Sequence, residues 1–341
     1  MNKKILISDL HFGESGNSVK HNQDLLDFFD WVIANTDSND HLVIGGDTFH
    51  QRDKLSVESI NYAISGIEKM ANYFDKVTMI IGNHDMFLKD SRHINSCAVF
   101  KHIKNVDIID SYEIDGDLIY VSWLCNQEEY DELINISKKN KTKYIIGHFE
   151  FNSFMVNDRY EMEHGHSHKE LKHIEKVFSG HYHGRQERDN IIYIGTPFPY
   201  NFNDTNDMDK GFCTFDPTTG THAFTNYSKI AVIDLTPEQF IELDLDELDL
   251  NNISVRVVAM DDISLEMLDL IKSKFEEENF RTTKLVYKPS SKKDSEDDTI
   301  EVDHLMSVDQ TVLTYIKNMS GSTKIKPEIL MNLYEESIQN N

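Results

Sequence analysis

Five short apolar runs in this chain end in polar residues that an ordinary turn does not need. ILIS leads into Asp9-Leu10-His11, LVIG into Gly46-Asp47 and MIIG into Asn83-His84-Asp85. YII leads into Gly147-His148, and VFS into Gly180-His181-Tyr182-His183. In α/β sheets, functional groups gather in the crevice at the carboxyl ends of strands. Five strands ending in Asp, Asp, Asn, His and His-x-His therefore aim their side chains at one place. In extended backbone, residues i and i+2 point the same way, so the spacing in DLH and HYH predicts that each pair reaches one cluster.

The rest of the chain fits a layered architecture. Strands are predicted at Ile5–Ser8, Leu42–Gly45, Val77–Ile81, Leu118–Val121, Tyr144–Gly147, Val177–Ser179, Ile191–Ile194 and Phe212–Phe215. Leu25, Phe28, Phe29, Val32 and Ile33 keep helical spacing, as do Ile60, Ile64, Ile67, Ala71 and Phe74. Strand-helix alternation early and successive strands late predict an α/β core over residues 1–233, with a mixed sheet or two sheets. Asp234–Leu250 has seven acidic residues and no Lys or Arg, and reads as a solvated connector. Ile253–Met260, Ser264–Phe275 and Thr283–Tyr287 read as strand, helix and strand, so residues 234–288 form a small α/β module. A polar linker follows at 289–299, and two helices are expected within 300–341.

Composition narrows the setting. The chain has 341 residues and a net charge of −25, which taken alone argues against nonspecific binding to a polyanion. The N-terminus is too short in apolar residues for a signal-peptide core, and no run approaches a membrane span. A cytoplasmic protein with no membrane partner is expected. Cys97, Cys125 and Cys213 are far apart and odd in number, so they read as reduced thiols. Of 16 histidines, seven fall between His148 and His183, and such clustering among apolar strands suggests metal.

Carboxylates, an amide oxygen and imidazoles suit manganese, iron or zinc, whereas four histidines are too many for a dedicated magnesium site. Seven candidate ligands exceed what one ion needs. Two divalent ions sharing a bridging carboxylate would use them well, and two ions roughly 3.5–4 Å apart are the usual clamp for phosphate-ester hydrolysis. A lone DxH or HxH is weak, but the ordered set of DxH, GD, GNHD, GH and GHxH, each after a strand, is specific.

With these motifs the chain resembles the calcineurin-like metallophosphoesterases. Among them it is similar to the SbcD-type DNA repair nucleases, which include the recombination nuclease subunits of T-even-like phages. The resemblance covers about the first 230 residues. It rests on GDTFH at 46–50, WLC at 123–125, GHFEFN at 147–152, FSGHYH at 178–183, YIGTPF at 193–198 and KGFCTFD at 210–216. Protein phosphatases of the superfamily would show GDxxDRG and GNHE instead. The resemblance implies a two-layered β-sandwich core flanked by helices, followed by a capping module that binds DNA and a helical tail.

It also implies roles. Asp9, His11, Asp47 and His183 would hold one ion, and Asp47, Asn83, His148 and His181 the other, with Asp47 bridging and manganese the expected metal. His84 would serve the departing oxygen, oriented by Asp85, and His50 would face the scissile region. The implied activity is exonuclease on duplex ends and endonuclease on single strands. The implied partners are DNA, an SbcC-like coiled-coil ATPase gripped by the tail, and a second copy in a homodimer. For a phage-encoded chain the setting is the host cytoplasm. A GxxxxGK[ST] phosphate loop is missing, so any ATP dependence would come from another subunit. A small-nucleotide phosphodiesterase and a noncatalytic scaffold that recruits an ATPase to DNA are the rival readings.

Other features compete with simpler readings. His164, His166 and His168 resemble a metal site but read better as a polar loop entering a helix, with Ser167 and Glu170 as a capping box. Arg52, Lys54, Lys89, Arg92, Arg185 and Arg188 follow the motifs and suggest a basic rim for DNA phosphates. Val308, Val312, Leu313 and Ile316, with Ile329, Leu330, Leu333 and Ile338, give the tail two apolar faces suited to a partner.

Overall fold

The computed structural model describes residues 2–157, 160–205, 207–246, 248–260 and 263–288. The linker at 289–299 and the tail at 300–341 lie outside the described residues.

Two six-stranded sheets make up the core. The first has the order Thr221–Asn226, Gly211–Asp216, Lys4–Ile7, His41–Ile44, Lys76–Ile80 and Val106–Ile109. From Lys4–Ile7 onward its strands run parallel, and the hairpin of residues 211–226 joins them antiparallel. The second has the order Gln186–Arg188, Ile191–Tyr193, Lys176–Gly180, Tyr144–His148, Leu118–Val121 and Tyr112–Asp115. Its four inner strands are parallel and its two edges antiparallel.

The strands read as unbroken apolar runs because both of their faces are buried. Leu6, Val43 and Ile80 from the first sheet meet Leu118, Tyr120, Ile146 and Phe178 from the second in one cluster between the sheets. Their alternates Ile5, Ile7, Leu42, Ile44, Val77 and Met79 face the helices Val19–Ala34 and Val57–Tyr73. Ile119, Val121, Ile145 and Val177 pack with Tyr130, Leu133 and Ile134 of the helix Gln127–Asn140. Each fully buried side chain of this kind contributes roughly 1.5–3 kcal/mol. The three helices begin where Ser18, Ser56 and Asn126 accept a hydrogen bond from a first-turn amide. The result is a two-layered sandwich flanked by helices, and the parallel strands of each sheet end at the same edge.

A third sheet of three parallel strands, Ala231–Leu235, Ile253–Met260 and Thr282–Lys288, packs with the helix Leu265–Glu277. The acidic stretch of residues 234–250 is more than a solvated connector. It supplies the end of one strand and the helix Pro237–Glu242, which has a capping box between Thr236 and Gln239. Phe240 of that helix is fully buried with Val255, Val257 and Ile271. Phe240 and Pro237, with the partly buried Leu235 and Ile241, anchor a segment whose acidic side chains stay mostly in water. Among the described residues, no helix is long and apolar enough to cross a membrane.

Candidate metal centre

All seven side chains expected as ligands come together at the carboxyl-end edge of the two sheets. Asp9 and His11 follow Lys4–Ile7, Asp47 follows His41–Ile44, and Asn83 follows Lys76–Ile80. His148 ends Tyr144–His148, and His181 and His183 follow Lys176–Gly180. Asp9, His11 and His183 form one group whose ligand atoms lie within 4.8 Å of one another, and Asp47, His148 and His181 form a second. The carboxylate of Asp47 sits between them, with Oδ2 3.8 Å from His11 Nε2 and 3.4 Å from His148 Nε2. Asn83 Oδ1 lies 3.1 Å from His148 Nε2 and 3.0 Å from His181 Nδ1.

The backbone reaches this geometry by a different route from the one extended strands would give. Asp9, His11, Asp47 and His181 all have positive φ, at 55°, 48°, 51° and 98°. The paired ligands converge because the chain kinks into the left-handed region as it leaves each strand, not because i and i+2 alternate in extended backbone. A non-glycine residue there costs of order 1–3 kcal/mol, so the strain is concentrated at the site. The turns are stapled across strands: Asp9 N–H donates to the Gly46 carbonyl and His11 N–H to the Asp47 carbonyl, both at 3.0 Å. Glycine is required at residue 82 for space, since a Cβ there would lie 2.1 Å from Asp47 Oδ1.

The donor chemistry fits cations. His11 Nε2 and His183 Nε2 point at each other across 3.2 Å, next to the buried Asp9 and Asp47 carboxylates. Two imidazole nitrogens facing one spot beside two acids are satisfied together by a metal ion. The other nitrogens are oriented by outer partners. His148 Nδ1 lies 2.7 Å from the Gly45 carbonyl, and His181 Nε2 lies 3.3 Å from Glu150 Oε2. A hydrogen bond of this kind fixes the tautomer of a ligating histidine.

Charge balance inside this buried cluster shifts its titration. Burial opposes ionisation of Asp47, but the surrounding imidazoles, His148 foremost, hold it well below the usual carboxylate range. Burial also opposes protonation of His148, yet Asp47 and Asp9 push it up to about 9. Burial pulls His11 well below the ordinary histidine value and His84 down to about 4.

His84 and Asp85 do not form the expected pair. His84 Nδ1 lies 2.6 Å from the His50 carbonyl oxygen, so it is the backbone that orients the ring. The Asp85 carboxylate is turned inward and accepts from the amides of Thr48, Phe49 and Gly82 at 3.2, 3.1 and 3.0 Å, and from the Ser96 hydroxyl. Adjacent side chains in a tight turn diverge, and the row of backbone donors claims the acid. His50 stacks against His84 with ring centroids 5.8 Å apart, and its own Nδ1 lies 2.5 Å from the buried Glu14 carboxylate.

Several supporting residues were given no role by the sequence. Glu150 lies inside GHFEFN and Lys210 opens KGFCTFD, but nothing in either stretch marks them as supports, and Glu14 and Tyr200 lie outside the motifs. The fully buried Lys210 donates to the His183 carbonyl at 2.6 Å, and the Tyr200 hydroxyl to the Asp9 carbonyl at 2.5 Å. Among the basic residues, Arg92 is not part of a rim: its guanidinium holds Glu129 in a bidentate pair and donates to the Trp123 and Asp110 carbonyls. Arg185 lies over the Phe224 ring and bonds Asn226, and Arg188 donates to the Ser153 carbonyl. Lys54 and Lys89 are exposed. Arg52 is half-buried within the electrostatic reach of Asp47 and Asp85. In the histidine-rich loop, Ser167 occupies an N-cap position but makes no side-chain cap bond, so the capping box does not form.

Residues 3–185 match the calcineurin-like phosphoesterase family. The chain belongs to that family. This phosphoesterase is 26% identical over 292 residues to exonuclease subunit 1 of Enterobacteria phage T4, an alignment that covers 82% of each chain. It is also 24% identical over 208 residues to "Putative phosphoesterase 078R" of Invertebrate iridescent virus 3, covering 58% of this chain and 59% of the other. The family match ends just past His183, so it takes in all seven candidate ligands of the phosphoesterase together with His84.

Proposed function

We propose that this phosphoesterase is a two-metal DNA nuclease. The observation that carries the proposal is the convergence of two ligand groups on either side of the Asp47 carboxylate, with the carbonyl-anchored His84 beside them. Similarity to T4 exonuclease subunit 1 along most of both chains supports DNA as the substrate.

Asp9, His11, Asp47 and His183 hold one divalent cation in this reading, and Asp47, Asn83, His148 and His181 the other. Oxygen and imidazole donors together suit manganese, iron or zinc, and manganese is the ion taken in this reading. Two such ions supply charge neutralisation at the phosphate oxygens and an activated water. The protein's own groups do the rest. His84, with Nδ1–H tied to the His50 carbonyl, carries a lone pair at Nε2 near neutral pH, so it takes a proton from the attacking water and passes it to the leaving oxygen as the ester bond breaks. Glu14 holds His50 through its ring, which keeps that carbonyl in place. Arg52 provides a fixed cation for a phosphate oxygen within the same opening.

The chain acts on duplex ends and on single strands, as one copy of a homodimer in the host cytoplasm, and the third sheet caps the DNA. Residues 300–341 dock an ATPase subunit, since this chain has no phosphate loop of its own. Purified protein with Mn2+ should cleave linear DNA, and deletion of 300–341 should abolish co-purification with the ATPase while sparing that cleavage. Hydrolysis of bis-p-nitrophenyl phosphate but never of DNA, even with the partner present, would point instead to a small-nucleotide phosphodiesterase. Cleavage of neither would leave a scaffold.

A further inference from the structure

Beside the metal centre lies a recess that the ligand set does not use. It is a small recess, open on one side to solvent, between Trp123, Leu124, His148, Phe149, Glu150 and the 165–166 loop. We propose that this recess is a stacking subsite for an unpaired nucleobase next to the scissile phosphate, with the Trp123 indole as its platform. The proposal rests on the nuclease reading and adds to it what the site grips besides phosphate.

Position is the first argument. His148 lines the recess, and the Trp123 ring lies 5.1 Å from the His181 ring and 5.9 Å from the His148 ring, centroid to centroid. Whatever fills the recess therefore touches the candidate ligand His148 and an indole that packs on a second, His181, so a phosphate held at the centre has its own base or its neighbour's within reach. Chemistry is the second. Bases of single strands bind on aromatic faces in a sequence-tolerant way. Here an indole, an imidazole and a carboxylate face one small volume. The Glu150 carboxylate, 3.3 Å from His181 Nε2 and part of the recess wall, can accept from an exocyclic amine of the base.

Construction is the third argument. Trp123 is only partly buried, yet its backbone is clamped. Its N–H donates to the Ile81 carbonyl at 2.8 Å, and its carbonyl accepts from Arg92 at 2.6 Å. The Glu129 carboxylate that Arg92 grips also accepts the Cys125 N–H at 2.8 Å, so the whole WLC turn is fixed. The opposite wall is equally set. His166 stacks on Tyr130 with centroids 4.4 Å apart, its N–H donates to the Glu150 carbonyl at 2.9 Å, and its Nδ1 meets Gln127. Gly165, at φ +91°, is required because a Cβ would lie 2.6 Å from that same carbonyl. The histidine-rich loop thus has a use as a wall of the recess rather than as a third metal site.

The test pairs a change in the protein with a change in the substrate. Full-length wild type, Trp123→Ala and Trp123→Phe are assayed with Mn2+ on single-stranded oligonucleotides, either intact or abasic at one nucleotide flanking the cut. On intact strands Trp123→Ala should lose about tenfold or more in kcat/KM, whereas Trp123→Phe should keep most of it. On the strand abasic at the contacted position, wild type and Trp123→Ala should differ by less than about threefold, because the partner of the indole is already gone. Equal losses on intact and abasic strands would mean that the substitution merely disturbs the metal site, and would overturn the proposal. A second arm needs no metal: an intact oligonucleotide should quench tryptophan emission of the wild type saturably and leave Trp123→Phe unchanged, and a fully abasic strand should quench neither. Quenching by both strands or by neither would overturn the subsite whether or not DNA is cut. Failure to cut any DNA, with the quenching difference intact, would remove the nuclease reading alone.

Discussion

His181 is held from two directions at once, by Asn83 Oδ1 at Nδ1 and by Glu150 Oε2 at Nε2. A carboxylate behind a ligating imidazole fixes its orientation and raises its basicity, and removing such a partner typically costs 10–100-fold in metal affinity. Glu150→Ala should therefore weaken Mn2+ binding by about that factor in calorimetric titration. Unchanged affinity would show that the imidazole needs no such support. His148 makes a prediction of the opposite kind. Its value in the metal-free protein, about 9, lies above the ordinary 6.5, so its protonated form stabilises the metal-free fold fully below 6.5 and ceases to do so as pH rises through 9. A cation needs the lone pair that this proton occupies. Binding at pH 7 should release close to one proton from His148, seen as a binding heat that depends on the buffer's ionisation enthalpy, and affinity should fall as pH is lowered. Heats independent of the buffer would mean that His148 is already neutral.

At the scale of one element, the turn from Gly82 to Asp85 separates stability from chemistry. Asp85 ties three backbone amides and the Ser96 hydroxyl together, whereas His84 is anchored by one carbonyl and otherwise faces the site. Asp85→Ala leaves those donors buried and unsatisfied, at about 1–3 kcal/mol each, and should lower the urea midpoint sharply. His84→Ala should leave the midpoint and metal stoichiometry alone and reduce kcat by about 10²–10⁴. An Asp85→Ala protein of normal stability and low kcat would restore the expected histidine–aspartate pair. This turn also marks how far the sequence can be read. The strands were legible because both faces of each are buried, which leaves runs such as MIIG with a sharp polar end. The candidate ligands were legible because metal binding restricts residue type. What His84 and Asp85 bond to was not, because most of their partners are backbone groups of residues 48–50, brought in by the turn after the neighbouring strand His41–Ile44. Phe240 was hidden in the same sense: a charge count passes over the few apolar side chains, Phe240 and Pro237 foremost, whose burial orders the segment.

On the scale of the molecule, the third sheet depends on a few charged joints. Arg281, where the chain enters the last strand, lies 2.5 Å from Asp24 on the helix Val19–Ala34, with side chains only 11% and 5% exposed. Arg256 grips Asp234 by two nitrogens at 2.8 and 2.6 Å, which secures the sheet internally. In a chain with a net charge of −25, an acid buried without its cation has few replacements nearby. Lys20 is one, 3.7 Å from the other Asp24 oxygen, but at 47% exposure it stays mostly in water. Breaking a buried pair by removing one partner costs about 3 kcal/mol or more. Arg281→Ala should lose that stability in a restricted way, since proteins open in cooperative parts. Hydrogen exchange should speed up in Ile253–Met260 and Thr282–Lys288, while Lys4–Ile7 and Tyr144–His148 keep their protection and Mn2+ binding is unchanged. Asp24→Ala should cost a similar amount, and the double variant little more than either alone, because the two groups act as one joint. Equal loss of protection across both large sheets would mean that the third sheet unfolds only with the core. The proposed capping role would then fall to a rigid extension of the phosphoesterase core, not to a part able to open.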